Sequence, residues 1–521
     1  MRRRGLKFLR VALAAIVFAG LAAAFLDFRG LVPPGWAHRL AALQFVPATL
    51  ALATGGTALV LVALLAVTLA FGRVYCSVVC PLGILQDLIG RLAAGLGSRR
   101  RPMPFARANN WLRYGVLTAV VATILAGGAS IAGAYTDPYS NFGRIFSGLF
   151  RPVLVAVNNA LVAPTGGLKL AGLYRVDPPW PDPAILWPAL AVLVLVTILA
   201  AWRARIYCNT LCPVGTLLGW VAARGAFRLT LDRGACVKCA DCLRTCKAQC
   251  IDLRTGAIDA SRCVACYNCI DACERHGIAY RWSWGRPAGG PVRPPLPDVG
   301  RRAFLAHASW AITAAVGGTN RLLAVTAPIA ADGDKASRAI CPPGAGGIDR
   351  FVERCTACQL CVSACPTHVL QPALAEYGFA GCMKPRLDYT AAFCNFDCQR
   401  CAEVCPTGAI ARQTLAAKQV TRIGLARLDL ESCIVKTKGT DCAACSEHCP
   451  TKAVDTVPYG DGLRLPQVTD DLCIGCGACE YACPAVPRKA IKVAGRRSHE
   501  VAARRVEEKA KDPRKGGGFP F

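Results

Sequence analysis

Thirty-one cysteines occur in this chain, most of them two or three residues apart. Thiols so close in sequence seldom reach the separation and torsion of an unstrained disulfide, and their odd number excludes a complete disulfide framework. Clustered thiolates of this density hold metal. The stretch "CVKCADCLRTC" sets Cys236, Cys239, Cys242 and Cys246 in the pattern C-x2-C-x2-C-x3-C, and "CVACYNCIDAC" repeats it with Cys263, Cys266, Cys269 and Cys273. This spacing holds two [4Fe–4S] cubanes: three neighbouring cysteines wrap three iron corners, and the fourth reaches across to the other cluster. On that logic one cubane takes Cys236, Cys239, Cys242 and Cys273, and the other takes Cys263, Cys266, Cys269 and Cys246. Zinc is the competing reading, although zinc sites use ligands in isolated pairs more often than in doubled quartets.

Four further quartets follow, each ending in Cys-Pro: Cys355, Cys358, Cys361 and Cys365; Cys394, Cys398, Cys401 and Cys405; Cys433, Cys442, Cys445 and Cys449; and Cys473, Cys476, Cys479 and Cys483. The second is one residue wider at its first gap, and the third carries an insertion after its first cysteine. Partner exchange could join first with second and third with fourth, or first with fourth and second with third; the spacing does not choose. Six quartets imply six cubanes, two in the first block and four in the second, and use 24 cysteines.

Four more cysteines lie in "YCSVVCPLG" (Cys76, Cys80) and "YCNTLCPVG" (Cys208, Cys212), each directly after an apolar run. A C-x3-C pair on a helix points both thiols to one face. The two pairs mark related halves of a small repeat, so four thiols could converge as a further metal or redox site. The competing reading is reduced structural thiols at tight helix ends. Cys250, Cys341 and Cys382 remain and are expected to act as small buried hydrophobes, with Cys382 able to substitute in the irregular second quartet.

The elements that position these groups begin with membrane spans. Residues 6–26, 48–71, 114–134 and 184–202 are each apolar enough, and as helices long enough, to cross about 30 Å of hydrocarbon. Arg2, Arg3, Arg4 and Lys7 precede the first, and Arg73, Arg91, Arg99, Arg100, Arg101, Arg107 and Arg113 lie between the second and third, against Arg29 and Arg39 between the first and second. That asymmetry puts the N-terminus in the cytoplasm. Residues 145–163 are apolar but contain Arg151, Pro152, Asn158 and Asn159, and read as a helix lying on the outer surface.

The expected organisation is an α-helical membrane domain of four to five spans plus α+β bacterial ferredoxin-like [4Fe–4S] domains. Residues 1–226 form the membrane domain and 227–285 the cytoplasmic two-cluster block. Five prolines and three glycines in residues 286–300 make a linker. Residues 301–330 open with Arg301-Arg302-x-Phe304-Leu305 and read as a twin-arginine signal or a fifth span. A four-cluster block occupies 331–490, and a basic tail 491–521. Twin-arginine export carries folded cargo. It suits a domain whose clusters must be inserted before its thiols meet an oxidising compartment.

The formal charge of +28 flanks apolar runs, which reports membrane orientation, and no nucleic-acid recognition motif accompanies it. No nucleotide-binding glycine loop is present, so neither flavin nor nicotinamide is expected. C-x-x-C-H is absent and none of the six histidines (38, 276, 307, 368, 448 and 499) lies in a span, so haem is not expected either. His38, Asp137 and Arg144 are outer-side candidates for a quinol proton site, each competing with an ordinary interface role.

On these motifs residues 1–285 resemble the NapH/MauN membrane ferredoxins, with a more distant likeness to NosR and CcoG, and residues 300–485 resemble the NapG/MauM exported ferredoxins. Lys247 and Glu274 stand where the usual pattern has proline. The resemblance implies a quinol dehydrogenase-type electron-transfer component of the bacterial inner membrane. It would take electrons from the quinone pool and pass them to a periplasmic redox enzyme or small carrier, with residues 331–521 in the periplasm. It equally permits an assembly factor that reduces a metal centre of a partner respiratory enzyme. A cytoplasm-facing array feeding low-potential electrons into the membrane is the third reading.

Overall fold

The computed structural model describes residues 3–51, 58–95, 105–125, 129–162, 174–176, 183–284, 339–460 and 462–504. Among them three helices are long and apolar enough to cross a membrane: Gly5–Leu26, Pro138–Val162 and Leu186–Arg203. Two match expected spans. The first belongs to the helix Arg3–Leu26, whose 24 residues contain no proline and run for about 36 Å. Of the expected span 48–71 the helices Phe45–Ala51 and Ala58–Phe71 are described, and of 114–134 the helices Asn110–Thr123 and Ala129–Thr136; the residues between each pair lie outside the described ones, and none of these four helices is by itself long and apolar enough to cross.

Residues 145–163 are helical as expected, but as the second part of a continuous helix, Pro138–Val162, that is also long and apolar enough to cross. Asp137 caps this helix, accepting the N–H groups of Tyr139 at 3.1 Å and Ser140 at 3.0 Å, with Pro138 pre-set for the first turn. Pro152 would clash with the carbonyl four residues back. The turn Phe146–Phe150 is wound wider, with i→i+5 bonding, and this absorbs the misfit. The polar groups that argued against a span find partners: Arg151 donates to the Ser363 carbonyl at 3.1 Å, and Asn158 accepts from Arg29. Phe18 and Phe25 of the first helix meet Tyr139, Phe142 and Phe146 edge-on or tilted, with ring centroids 5.5 to 5.9 Å apart.

Residues 227–284 fold as an α+β unit. Strand Phe227–Leu231 pairs antiparallel with Ile278–Trp282, closing the unit's ends on each other, while Ile251–Asp252 pairs with Ala257–Ile258. The short helices Asp241–Thr245 and Asn268–Ala272 carry the third cysteines, Cys242 and Cys269. The second block repeats this plan with three more two-stranded sheets. Its longest strand, Ile491–Val501, pairs with Thr421–Leu428. The expected basic tail therefore begins inside the fold: Ile491 and Val493 face the core, and His499 meets Cys341 at 3.1 Å. The linker, the twin-arginine segment and residues 505–521 lie outside the described residues.

The blocks dock at opposite ends of the first helix. Near its start, Lys7 pairs with Asp271 of the first block at 2.6 Å, and Tyr280 donates to the Phe71 carbonyl at 3.0 Å. Near its far end, helix Pro34–Ala42 packs on Arg400–Val404 of the second block, and Arg151 holds Ser363. A Cβ on Gly143 would stand 2.2 Å from the Cys358 carbonyl, so the second block sits directly on this glycine. From Lys7 to Phe25 the helix rises about 27 Å.

Candidate iron–sulfur sites and the four-thiol core

In four of the six quartets the middle cysteine is flanked by two left-handed residues. They are Lys238 and Ala240, Ala265 and Tyr267, Ala357 and Gln359, and Gly475 and Gly477, with φ between 49° and 82°. Alternating left- and right-handed residues turn successive N–H groups to one side, which builds a cradle for an anionic group. Only the last quartet uses glycine there; the others accept roughly 1–2 kcal/mol per left-handed side chain. The two irregular quartets lack the twist: Gln399 has φ −128° and Ala443 −120°.

The cavities show which cysteines meet. One is lined by Cys263, Cys266, Cys269 and Cys246, together with Leu229, Ile251 and Ile258. A second gathers Cys394, Cys398 and Cys401 with Cys365. A third gathers Cys433, Cys442 and Cys445 with Cys483. The complementary sets also come together: Cys242 with Cys236, Cys239 and Cys273; Cys361 with Cys355, Cys358 and Cys405; and Cys473 and Cys476 with Cys449. In the second block, then, the first quartet exchanges with the second and the third with the fourth.

The walls fit a cubane. They are apolar, and backbone N–H groups reach the sulfurs: Ala357 to Cys355 at 3.4 Å, Ile410 to Cys405 at 3.4 Å and Ala453 to Cys449 at 3.2 Å.

Cys250 is more than a small hydrophobe. It lines the cavity of Cys246 and Cys263, with its sulfur 3.7 Å from that of Cys246. The signal was its C-x3-C spacing from Cys246. Cys341 is fully buried beside His499, while Cys382 lies against Tyr135 instead of entering the second quartet. His38 faces the backbone of Val404 and Cys405; burial, then Arg412, lowers its basicity. Asp137 is occupied as a helix cap, and Arg144 donates to Asn141 at 2.5 Å.

The two C-x3-C pairs form a reciprocal core, with Cys76, Cys80, Cys208 and Cys212 all buried. Cys80 and Cys212 each sit immediately before a helix, Pro81–Gly95 and Pro213–Ala222. The Gly215 N–H reaches the Cys212 sulfur at 3.3 Å, and that of Gly83 is directed at Cys80. Arg73 and Arg205, neither found as a site residue from the sequence, lie against these thiols and are 0% exposed. Their repeated spacing three residues before Cys76 and Cys208 was the available signal. Asp87 joins Arg205, Arg10 and Lys247, each at 2.8 Å. Burial alone would raise its pKa, but Arg205 and then Lys247 hold it well below the usual carboxylate range.

A profile described as a 4Fe-4S binding domain matches residues 54–104 and again 183–231, one match for each C-x3-C half. A 4Fe-4S dicluster domain matches residues 354–409 and 438–486, which agrees with the pairing of quartets seen in the cavities. The chain therefore binds [4Fe–4S] clusters. It is 30% identical over 150 residues to the ferredoxin-type protein NapF of Escherichia coli K12, covering 29% of this chain and 83% of that one. It is 34% identical over 169 residues to the methylamine utilization ferredoxin-type protein MauM of Methylorubrum extorquens, covering 31% and 75%. To MauN of Paracoccus denitrificans it is 29% identical over 176 residues, covering 34% and 48%. No solved structure matches. The chain belongs to the ferredoxin-type proteins of the Nap and Mau kind, and it joins a NapH/MauN-like part to a NapG/MauM-like part on one polypeptide.

Proposed function

We propose that this chain is an electron relay of the bacterial inner membrane, connecting the quinone pool to a redox enzyme or small carrier in the periplasm. Six [4Fe–4S] clusters would be held by the six quartets, paired as the cavities pair them. Each bound cluster supplies one-electron redox chemistry. The chain's own residues fix the distances between centres and tune each through burial and N–H groups aimed at sulfur.

One observation carries this reading: the two cluster-binding blocks are held against opposite ends of the helix Arg3–Leu26, by Lys7 and Asp271 at one end and, at the other, around Gly143, where a Cβ would meet both the Phe25 ring and the Cys358 carbonyl of the second block. A membrane around that helix leaves the blocks in different aqueous compartments. The cytoplasmic N-terminus expected from the arginine distribution assigns the first block to the cytoplasm and residues 331–521 to the periplasm. The twin-arginine segment at 301–330 supplies the means of export.

The test uses the full chain in inner-membrane vesicles. Quinol should reduce the clusters of both blocks, and protease should reach residues 339–504 in right-side-out vesicles and not in inverted ones. Reversed accessibility would move the second block to the cytoplasm and end the proposal. Accessible clusters that quinol never reduces, together with metal loss from a partner enzyme in a deletion strain, would favour a maturation factor.

A further inference from the structure

The four quartets of the second block fall into two pairs. Within each pair the connection between sets is covalent. Helix Leu360–Ala364 carries Cys361 of the first set and ends at Cys365 of the second. Helix Ala478–Ala482 carries Cys479 of the fourth set and ends at Cys483 of the third. Between the pairs a hydrogen bond joins two ligands directly: the Cys394 N–H donates to the Cys476 carbonyl at 3.0 Å. A route from one sulfur to the other follows each cysteine's own bonds and crosses only that contact.

Tyr389 holds this junction. It directly follows the strand Pro385–Leu387, which pairs with Leu370–Pro372, and the Asp388 N–H donates to the Val369 carbonyl at 2.9 Å, so its backbone belongs to the first pair. Its side chain is buried and reaches the second pair, where the hydroxyl donates to the Gly475 carbonyl at 2.7 Å. The ring is pressed onto the turn around Cys476: a Cβ on Gly477 would stand 2.2 Å from it, and one on Gly475 would stand 2.5 Å from the Gly424 nitrogen. These approaches account for the glycines at both left-handed positions of this quartet, where the other twisted quartets carry side chains. Cys394 and Cys476, one from each pair, are the thiols that act most strongly on the Tyr389 hydroxyl.

We propose that electrons cross the second block in the order first, second, fourth and third quartet, passing between the pairs through Cys394 and Cys476, with Tyr389 as the positioning residue of that crossing. The direction rests on the relay reading; the order rests on the contacts. The near end is the first quartet, because its Cys358 meets the membrane helix at Gly143. The far end is the set of Cys433, Cys442, Cys445 and Cys483, beside the exposed ion pair of Asp441 and Arg464, and there a redox partner would take electrons. Each crossing moves one electron. The centre held by the second quartet is oxidised by one, the centre held by the fourth is reduced by one, and no bond or proton is exchanged. Tyr389 acts by fixing the Gly475–Gly477 turn that presents the Cys476 carbonyl to Cys394.

EPR of the full chain, purified without oxygen and fully reduced, tests the order. The species lost with Cys398→Ser should be spin-coupled to the one lost with Cys479→Ser, so that removing either sharpens the other. The species lost with Cys445→Ser should be unchanged by Cys398→Ser. If Cys398→Ser instead sharpens the Cys445 species and leaves the Cys479 species as it was, the order is overturned. Tyr389→Phe keeps the ring and removes the bond to Gly475. With iron per chain unchanged, it should slow severalfold the redistribution of electrons from the first pair to the second after a sub-stoichiometric pulse of dithionite, followed by freeze-quench EPR. Tyr389→Leu should slow it further; if that variant does not accumulate, Tyr389→Phe decides. Wild-type redistribution in these variants, with both pairs loaded, would overturn the role of Tyr389. Coupling and transfer in the stated order, with quinol reducing no cluster, would uphold the order and sink the relay.

Discussion

The Arg205 guanidinium donates to the backbone carbonyl of Cys76 at 2.6 Å. Arg73 makes the mirrored contact, to the carbonyl of Cys208 at 3.0 Å. Each half of the repeat thus supplies the arginine that clamps the cysteine turn of the other. The clamp needs two glycines. A Cβ on Gly83 would lie 2.5 Å from the Cys76 carbonyl, and one on Gly215 would lie 2.2 Å from that of Cys208.

Gly215→Ala should therefore destabilise by about 1–3 kcal/mol or more, since the obstacle is backbone that cannot swing away. Gly35→Ala is the control: nothing lies within 4 Å of its Cβ, and it sits in the helix Pro34–Ala42. That change should be neutral or stabilising by up to about 1 kcal/mol. Thermal unfolding of the solubilised protein measures both, and equal effects would refute the clamp.

Asp87 should be the most damaging single charge to lose. Asp87→Asn leaves Arg205, Arg10 and Lys247 buried without their shared anion, a loss of about 3–5 kcal/mol. The pH dependence has a definite sign. Because the folded pKa is depressed, the contribution is full above the unfolded value of about 3.9 and is lost as pH falls toward the lower folded value. The stability gap between wild type and variant should stay level from about pH 8 to 5 and shrink below about 4. A gap that widens on acidification contradicts the assignment.

The pairing of quartets makes a prediction that runs against sequence order. Cys365 closes the cavity of Cys394, Cys398 and Cys401. Cys365→Ser should therefore abolish or alter the same paramagnetic species as Cys398→Ser, and spare the one lost with Cys358→Ser. If Cys365→Ser and Cys358→Ser instead share a spectrum, the exchange is wrong.

Arg151 should matter for docking and not for cluster content. Its bond to the Ser363 carbonyl joins the second block to the helix Pro138–Val162. Arg151→Ala should raise protease sensitivity across residues 339–504 and slow electron arrival there, with iron per chain unchanged. Loss of iron would show that the residue supports the block's fold instead.

What the sequence disclosed follows the range of the physics. Quartet spacing is local, so all six quartets and the partner exchange within the first block are read directly from "CVKCADCLRTC" and "CVACYNCIDAC". Pairing among the last four quartets depends on contacts such as Cys483 with Cys433, far apart in sequence, and the spacing leaves two solutions. Arg151 and Pro152 hid the helix Pro138–Val162, because their compensations are a widened turn and a carbonyl two hundred residues away. The strand Ile491–Val501 was hidden by the polar run Arg496–Arg497–Ser498–His499–Glu500, whose order comes from Thr421–Leu428 across the sheet and from Cys341.

Cys250 offers the finest test of how the chain tunes a single centre. Its sulfur lies 3.7 Å from Cys246 and is also within hydrogen-bonding reach of Cys263. With both of those engaged as thiolate ligands, only Cys250 retains a proton to donate, so its S–H bonds stabilise charge on the cluster. The reduced state carries more negative charge and gains more from those bonds. Cys250→Val keeps the apolar volume and removes the donor; it should lower the midpoint potential of one cluster by some tens of millivolts, on the order of one hydrogen bond. Cys250→Ser keeps a donor and should shift it less. Redox titration followed by EPR resolves the effect. A Cys250→Val protein that loses the cluster altogether would mean that Cys250 serves as a ligand and that Cys246 does not complete the set.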